Sequence, residues 1–318
     1  MSIHSVRRSQ THLSWSKSVP PVLTIASGDV VSFDCLDASN GQITASSGVA
    51  DILVAKLAVM DQVNGPIYVQ GAKVGDVLKV ELMELTPAEW GWSALFPGFG
   101  LLADEFEGTA LKLWSIQDGV ATTTMRLRGS DVAVSVPVKP FMGEVGLARG
   151  AEGHWSTIPP YRTGGNMDTK HLTKGSTVYL PIEVDGALFA IGDGHAAQGD
   201  GEVCGTAIET PMRVTVRLTV LPASNTPPSM LAPHYESTNS VPVGEAYYTT
   251  MGIATDLREA ARDAVRGMFG YLVSQHGFER EDAYILCSVA ADLRLHEVVD
   301  MPNYLVGMMM PKSVLPVP

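Results

Sequence analysis

The segment Met212-Arg-Val-Thr-Val-Arg-Leu-Thr-Val220 alternates without a break between apolar and polar residues after its first position. In an extended chain, side chains two apart share a face. Val214, Val216, Leu218 and Val220 therefore line one side, and Arg213, Thr215, Arg217 and Thr219 the other. Such a strand needs neighbours to pair with and an apolar layer to cover it. Residues 22–33, 65–70, 77–85, 111–114, 121–127 and 132–138 supply candidates. Each is a short run rich in Val, Ile, Leu or Thr, bounded by Gly, Asp, Asn or Pro, as strands between turns are. The pattern predicts a mainly β chain of sandwich or barrel elements. Residues 91–102 are too glycine-rich for a regular element and read as an apolar loop, lining a cavity or packed on the core. Residues 143–161, with Glu144, Arg149, Glu152 and His154, read as a long irregular connection, a place where function often resides.

Composition shifts after Pro222. Residues 223–241 are rich in Pro, Ser and Asn and read as a linker or surface excursion. Residues 254–276 predict a helix, because Leu257, Ala261, Val265, Met268 and Leu272 fall at three- and four-residue steps and Gly277 follows. A second helix is expected over 279–295, with Asp282 as its cap, and a last strand over 305–310. The expected organisation is a β-rich region over 1–222, carrying the chemistry, with a smaller α+β region over 223–318 packed on it.

The chain has 318 residues, 45% of them apolar and 18% charged, a globular balance. Acidic residues outnumber basic ones by 34 to 22, for a net charge of −12, and Lys and Arg do not cluster. Phosphate binding needs such clusters, so nucleic acid is not an expected partner. A spanning helix would need about 18 or more consecutive apolar residues; none occurs, and no membrane partner is expected. Residues 1–20 lack an apolar signal-peptide core. Cys35, Cys204 and Cys287 are scattered and odd in number, without a Cys-x-x-Cys zinc framework. They suit a reducing compartment, and the cytoplasm is the expected location. Cys204 reads as a small buried hydrophobe rather than a nucleophile.

The chemistry concentrates in Ile191-Gly-Asp-Gly-His-Ala-Ala-Gln-Gly-Asp-Gly-Glu202. Its small residues allow close approach of backbone or ligand, while its carboxylates and imidazole are donors that divalent metals use. A Gly/Asp turn with one incidental histidine is the plainer alternative. If the segment is extended, Asp193 and His195 converge, and separately Gln198, Asp200 and Glu202 do. Thr163-Gly-Gly-Asn-Met-Asp168 precedes it, and residues 174–182 between them read as a strand. An up-and-back connection of this length can bring Asp168 beside His195. An Asp168, Asp193 and His195 site suits Zn²⁺ or another borderline divalent ion with a position open to water. Glu202 is then a candidate general base and acid, and Gln198 and Asn166 can orient a carboxamide. Which carboxylate binds metal and which moves protons stays open. No EF-hand, Walker loop, dinucleotide fingerprint or Gly-x-Ser-x-Gly elbow is present. Asp37 is a more remote candidate.

At these residues the chain resembles the acetamidase/formamidase family. The resemblance rests on Gly164-Gly-Asn-Met-Asp168, Leu172-Thr-Lys-Gly-Ser-Thr-Val-Tyr-Leu-Pro-Ile182, residues 192–202 and Cys204-Gly-Thr-Ala-Ile-Glu209. It extends to Asp34-Cys-Leu-Asp-Ala-Ser-Asn-Gly-Gln42, residues 65–76 and residues 284–294, so it covers nearly the whole chain. It implies a β-rich fold with a smaller α/β part, a cytoplasmic homo-oligomer, and hydrolysis of short amides to acid and ammonia. It also implies a divalent metal, usually zinc. The matching polar positions are Asn166, Asp168, Asp193, His195, Gln198, Asp200 and Glu202. Against that family, Gly194, Ala196 and Ala197 leave more space around the motif. Met167 and the 91–102 loop are expected to widen the pocket too, which adds cyclic amides such as γ-lactams to the expected substrates. A non-catalytic β protein that binds a small ligand is the alternative reading, and a structural oligomer subunit with a calcium-stabilised loop is a third.

Overall fold

The alternating segment forms the strand Met212–Leu221, inside a sheet of nine strands among the described residues. The structure, a computed structural model, describes residues 2–101, 103–128, 130–225, 230–237, 246–278, 283, 287, 291–312 and 315. From edge to edge the sheet runs Ile3–Val6, Val30–Cys35, Met212–Leu221, Val77–Pro87, Thr177–Pro181, His234–Glu236, Tyr247–Ala254, Tyr304–Pro311 and Asp292–Glu297. Val214, Val216 and Leu218 point inward, whereas Arg213 is exposed, as the alternation requires. Val220 lies half-buried at the rim of that face.

A second sheet orders Pro160–Tyr161, Gly164–Asn166, Phe141–Leu147, Ala187–His195, Val63–Val69 and Thr11–His12, with Leu23–Ile25 also pairing beside Val63–Val69. The two sheets meet through one continuous core. Phe33, Val80 and Val216 from the first pack with Ile67, Val145 and Phe189 from the second. Phe33 and Phe189 meet edge to face, with ring centroids 6.0 Å apart. The predicted mainly β class, with sandwich construction, is what the chain adopts.

Several expectations need correction. Residues 143–147 are not irregular but belong to Phe141–Leu147, a strand buried at every position. A strand covered on both faces does not alternate, so period two cannot reveal it. Within 91–102, the first half pairs as Trp90–Leu95 with Ala110–Gln117, in a four-stranded sheet with Val120–Leu127 and Ser130–Pro137. The span 22–33 divides into Leu23–Ile25 and Val30–Cys35. Within 223–241 the described residues include His234–Glu236, a strand that pairs with both Thr177–Pro181 and Tyr247–Ala254. Residues 292–297 form an edge strand rather than the end of a second helix, and their charged alternation suits an edge. Of the remainder of that expected helix, Ala283 and Cys287 are helical. Residues 279–282, 284–286 and 288–290, with the expected cap Asp282, lie outside the described residues.

The helix Leu257–His276 forms as its pattern predicts. Asp256 caps it by accepting from the Glu259 amide at 2.9 Å, and Gly277 ends it in the left-handed region at φ 72°. Met268 and Leu272 of the expected stripe are buried, whereas in the first half the deepest positions are Ala260 and Ala264, one residue before the half-buried Ala261 and Val265. Ala260, Ala264, Gly267, Met268 and Leu272 are buried, while Leu257 is 40% exposed. Small residues let the helix lie close on Tyr247–Ala254, where the Thr250 hydroxyl donates to the Ala264 carbonyl at 2.7 Å. No helix among the described residues is long and apolar enough to cross a membrane.

Candidate active site

One central strand explains how two distant motifs meet. Phe141–Leu147 pairs with Gly164–Asn166 on one side and with Ala187–His195 on the other. Glu144 stands opposite both Asn166 and Gly192. Asn166 therefore ends one flanking strand, Asp168 follows it, and Asp193 and His195 end the other. Beneath them Gly143 accepts from the amides of Met167 at 2.9 Å and Asp168 at 3.3 Å. A Cβ at Gly143 would collide with Asp193 Oδ2 and Asp168 Oδ1. Only glycine lets both carboxylates fold over this strand. Asp168, Asp193 and Glu202 all adopt left-handed backbone, at φ 40°, 53° and 45°. Non-glycine residues seldom stay there unless their surroundings over-determine it, and such strain gathers at functional sites.

The imidazole of His195 is the hub. Its Nε2 lies 2.9 Å from Asp193 Oδ2, 3.0 Å from Glu209 Oε2 and 4.0 Å from Glu202 Oε1. Its Nδ1 lies 3.7 Å from Asp168 Oδ1 and 2.8 Å from Gln198 Oε1. Gln198 fixes the tautomer, because its own Nε2 donates to the Asp168 carbonyl at 2.7 Å. That leaves Oε1 to accept from Nδ1–H, and makes Nε2 the ring atom that faces Asp193 and Glu209: protonated it donates to them, and deprotonated it offers a ligand lone pair. Phe141 packs edge-on against the ring at 5.0 Å and covers that side.

The surrounding charges are nearly all negative. Asp168, Asp193, Glu202, Glu209, Glu297 and Asp300 are all buried, and His195 is the sole cationic partner the first four of these find among the described residues. Burial, and then the charge of Asp193, pushes Asp168 up to about 7. Burial takes Glu209 to about 8, against the pull of His195. Glu202 and Asp300 stand well above the usual carboxylate range through burial and then their acidic neighbours. For His195, burial opposes the charge, but Asp193 and Glu209 outweigh it and raise the ring well above its usual value. Burial likewise opposes ionisation of Asp193, yet His195 pulls it below its usual value. Both oxygens of Asp168, Oδ1 of Asp193 and Oδ1 of Asn166 have no hydrogen-bond partner. Buried carboxylates are paired or coordinate cations, and three overlapping trios here have ligand atoms within 4.8 Å of one another. They are Asp168–Asp193–His195, His195–Glu202–Glu209 and Asp168–Glu202–Asp300. Orphaned oxygens, a ligand-ready imidazole and excess negative charge fit a divalent cation.

Of the residues expected from sequence, the fold brings together Asn166, Asp168, Asp193, His195, Gln198 and Glu202. Asp200 does not join them. The glycines on either side break the expected alternation, and its carboxylate turns to Lys170 at 3.0 Å and Arg294 at 3.8 Å. Asp37 accepts from Trp92 Nε1 at 3.0 Å and from Ser39, so it holds a cavity wall. His154 is exposed, and Cys204, half-buried, donates to the Thr206 carbonyl at 3.4 Å. Glu209 and Asp300 were not expected. The Ala207 amide holds Glu209 at 2.7 Å, and Asp300 accepts from Asn166 Nδ2 at 2.8 Å. Glu209 sits at the end of Cys204-Gly-Thr-Ala-Ile-Glu209, which marked it by position without assigning a role. Nothing local signals Asp300. The room expected around Gly194, Ala196 and Met167 is filled, whereas Ala197 lines a further cavity of about 660 Å³ beside Gln198 and Glu202. Met212 packs where a Gly194 Cβ would stand, Ala196 packs near Trp114, and Met167 belongs to the sandwich core.

A cavity of about 220 Å³ opens onto the cluster. Asn166, Asp193, His195, Glu202, Glu209, Asp300 and Asp61 line it, together with Trp92, Phe96 and Phe99. The segment 91–102 thus does line a cavity.

The family model for the acetamidase/formamidase family matches residues 3–154 and 147–316. The chain is 26% identical to a formamidase of Methylophilus methylotrophus, over 96% of this chain and 89% of that protein. The crystal structure of a predicted acetamidase/formamidase from Thermoanaerobacter tengcongensis superposes with a TM-score of 0.86. That protein is 29% identical, with 98% of this chain and 97% of the other covered. A γ-lactamase from Delftia acidovorans, 22% identical, shares the fold at a TM-score of 0.67, over 97% of this chain and 90% of the other. The chain belongs to the acetamidase/formamidase family, amidohydrolases that act on carbon–nitrogen bonds other than peptide bonds.

Proposed function

We propose that the chain hydrolyses a short aliphatic or cyclic carboxamide, with Asp168, Asp193 and His195 holding a divalent cation, zinc by the chemistry of the donor set. A formamide- or acetamide-like substrate gives the acid and ammonia, and a γ-lactam gives the amino acid. The observation that carries this reading is the hydrogen-bond chain from the Asp168 carbonyl through Gln198 to His195 Nδ1, which turns Nε2 into the acidic cluster, where a cation would take the place of its proton. When bound, the cation supplies Lewis-acid polarisation of a carbonyl and acidifies water near neutral pH.

The chain's own groups do the rest. Glu202 lines the cavity, and its raised proton affinity suits a group that takes a proton from water and delivers it to the leaving nitrogen. An amide requires that second transfer because an amine anion is a poor leaving group. Asn166, anchored through Nδ2 on Asp300, presents a free Oδ1 that accepts from the substrate N–H. Gln198 has both ends of its amide engaged within the protein, so it positions the imidazole rather than the substrate carbonyl. Glu209 is a further ligand candidate. A homo-oligomeric, cytoplasmic enzyme is the accompanying reading from the family resemblance.

Ammonia release from formamide and acetamide, and ring opening of a γ-lactam, test this together with metal analysis. Chelation and Asp193→Asn are expected to remove both metal and turnover. Glu202→Gln is expected to keep the metal and lose about 100-fold or more in kcat. Full turnover by metal-free protein would end the reading, and metal binding without turnover of any amide would favour a binding module.

A further inference from the structure

The cavity over the centre is larger and more apolar than a three-atom amide requires. Its volume of about 220 Å³ equals roughly seven waters' share of liquid, at about 30 Å³ each. Trp92, Phe96, Phe99, Leu57, Met60 and Ile158 line it together with the carboxylates, Asp61 beside Met60 among them. Formamide has no apolar surface to place against such walls, and acetamide has one methyl group.

The aromatic wall is fixed in place. Trp92 is 1% exposed and donates through Nε1 to Asp37, which holds the indole plane. Phe96 meets it edge-on with centroids 6.2 Å apart. Phe99 lies directly on Gly205, where a Cβ would collide with the ring. Gly205, at φ 86°, donates its amide to the Glu202 carbonyl at 2.7 Å. The ring that bounds the apolar part and the carboxylate proposed to move protons therefore share one turn. Leu57, 58% exposed, stands at the mouth.

We infer that the substrate amide carries a hydrophobic substituent larger than methyl, seated against Trp92, Phe96 and Phe99 while its carbonyl faces the acidic centre. This rests on the amidase reading and narrows it. The substituent can sit on the acyl carbon or on the nitrogen, a lactam ring joining the two, so the test has two arms. Each methylene moved from water to such a wall in the transition state contributes about fourfold to kcat/KM.

The experiment measures kcat/KM on metal-replete enzyme for formamide, acetamide, propanamide, butanamide and pentanamide, and in parallel for N-alkyl acetamides of increasing length. One series is expected to climb about fourfold per methylene, and the rising arm identifies the substituted side. Phe99→Ala should flatten that climb. Leu57→Ser, at an exposed position that folding tolerates, should reduce its last steps and decides the matter if Phe99→Ala does not fold. Two flat or falling series, with formamide the best substrate, would overturn the inference and leave the amidase reading standing. An unchanged climb in either folded variant would overturn the assigned wall. No turnover of any amide would remove the amidase reading itself.

Discussion

Two strands of similar length, Met212–Leu221 and Ala187–His195, stand in opposite sheets of the sandwich and obey different rules. The first alternates, burying Val214, Val216 and Leu218 and leaving Arg213 exposed. The second is buried at every position, with non-glycine residues of positive φ near both ends. Ala187 and Leu188 have φ 61° and 55° at its start, and Asp193 has φ 53° near its finish. Each such residue costs about 1–3 kcal/mol. A strand that serves as wall can repeat, because each position meets the same two environments. A strand that delivers a carboxylate and an imidazole to one point must break its repeat, and the surrounding fold must bear the cost.

Substitutions in the two regions should separate stability from chemistry. Leu218→Ala, in the repeating strand, is expected to lower stability by about 2–5 kcal/mol while kcat/KM of the folded fraction stays unchanged. Denaturant unfolding and kinetics on the same preparation check this, and a large loss of kcat/KM would break the contrast. Gly143→Ala removes no functional group but pushes on Asp193 and Asp168. It is expected to cost about 100-fold in kcat/KM, the scale of a 1 Å misplacement, and to weaken metal retention. Unchanged activity and metal content would show that the carboxylates are free to settle elsewhere.

The smallest effect concerns pH. Burial holds His234 down to about 3, against an ordinary value of 6.5, and holds His12 and His171 down to about 4. The unfolded chain protonates these rings first, so stability is complete above 6.5 and is lost as pH falls from there toward the folded values. His234 lies on the strand His234–Glu236, hydrogen-bonded to the Tyr248 hydroxyl at 2.9 Å. Replacing it with Gln should make the loss of stability shallower between pH 6.5 and 4, by up to about 1 kcal/mol per pH unit. An unchanged slope in thermal melts would place the acid sensitivity in other groups.

The sandwich is legible in the sequence wherever one face of a strand meets water, as in Met212–Leu221. It is illegible at Phe141–Leu147, whose glycines and double burial erase any period. The convergence of Asp193 with His195 can be read because a two-residue spacing and small neighbours bring them together over a short range. The nearness of Asp168 can be read from the strand between the motifs, but its physical cause, pairing of both motif strands with Phe141–Leu147, cannot. Asp200 shows the limit of assuming extended backbone through glycines. Asp300 depends on an encounter across the whole chain, which no local pattern encodes. The helix stripe holds at Met268 and Leu272 and shifts by one residue only in the first half, where the helix lies close on Tyr247–Ala254 through Ala260 and Ala264.

The Asn166–Asp300 hydrogen bond spans 134 residues. During synthesis the Asn166 end leaves the ribosome long before its acceptor exists. Asp300 also lies between the last two described strands of the nine-stranded sheet, Asp292–Glu297 and Tyr304–Pro311. The Asn166 amide is thus anchored only after those strands dock. A nascent chain tethered before that point has its imidazole and most of its acids in hand and still lacks a finished pocket, so the pocket waits for residues 292–311.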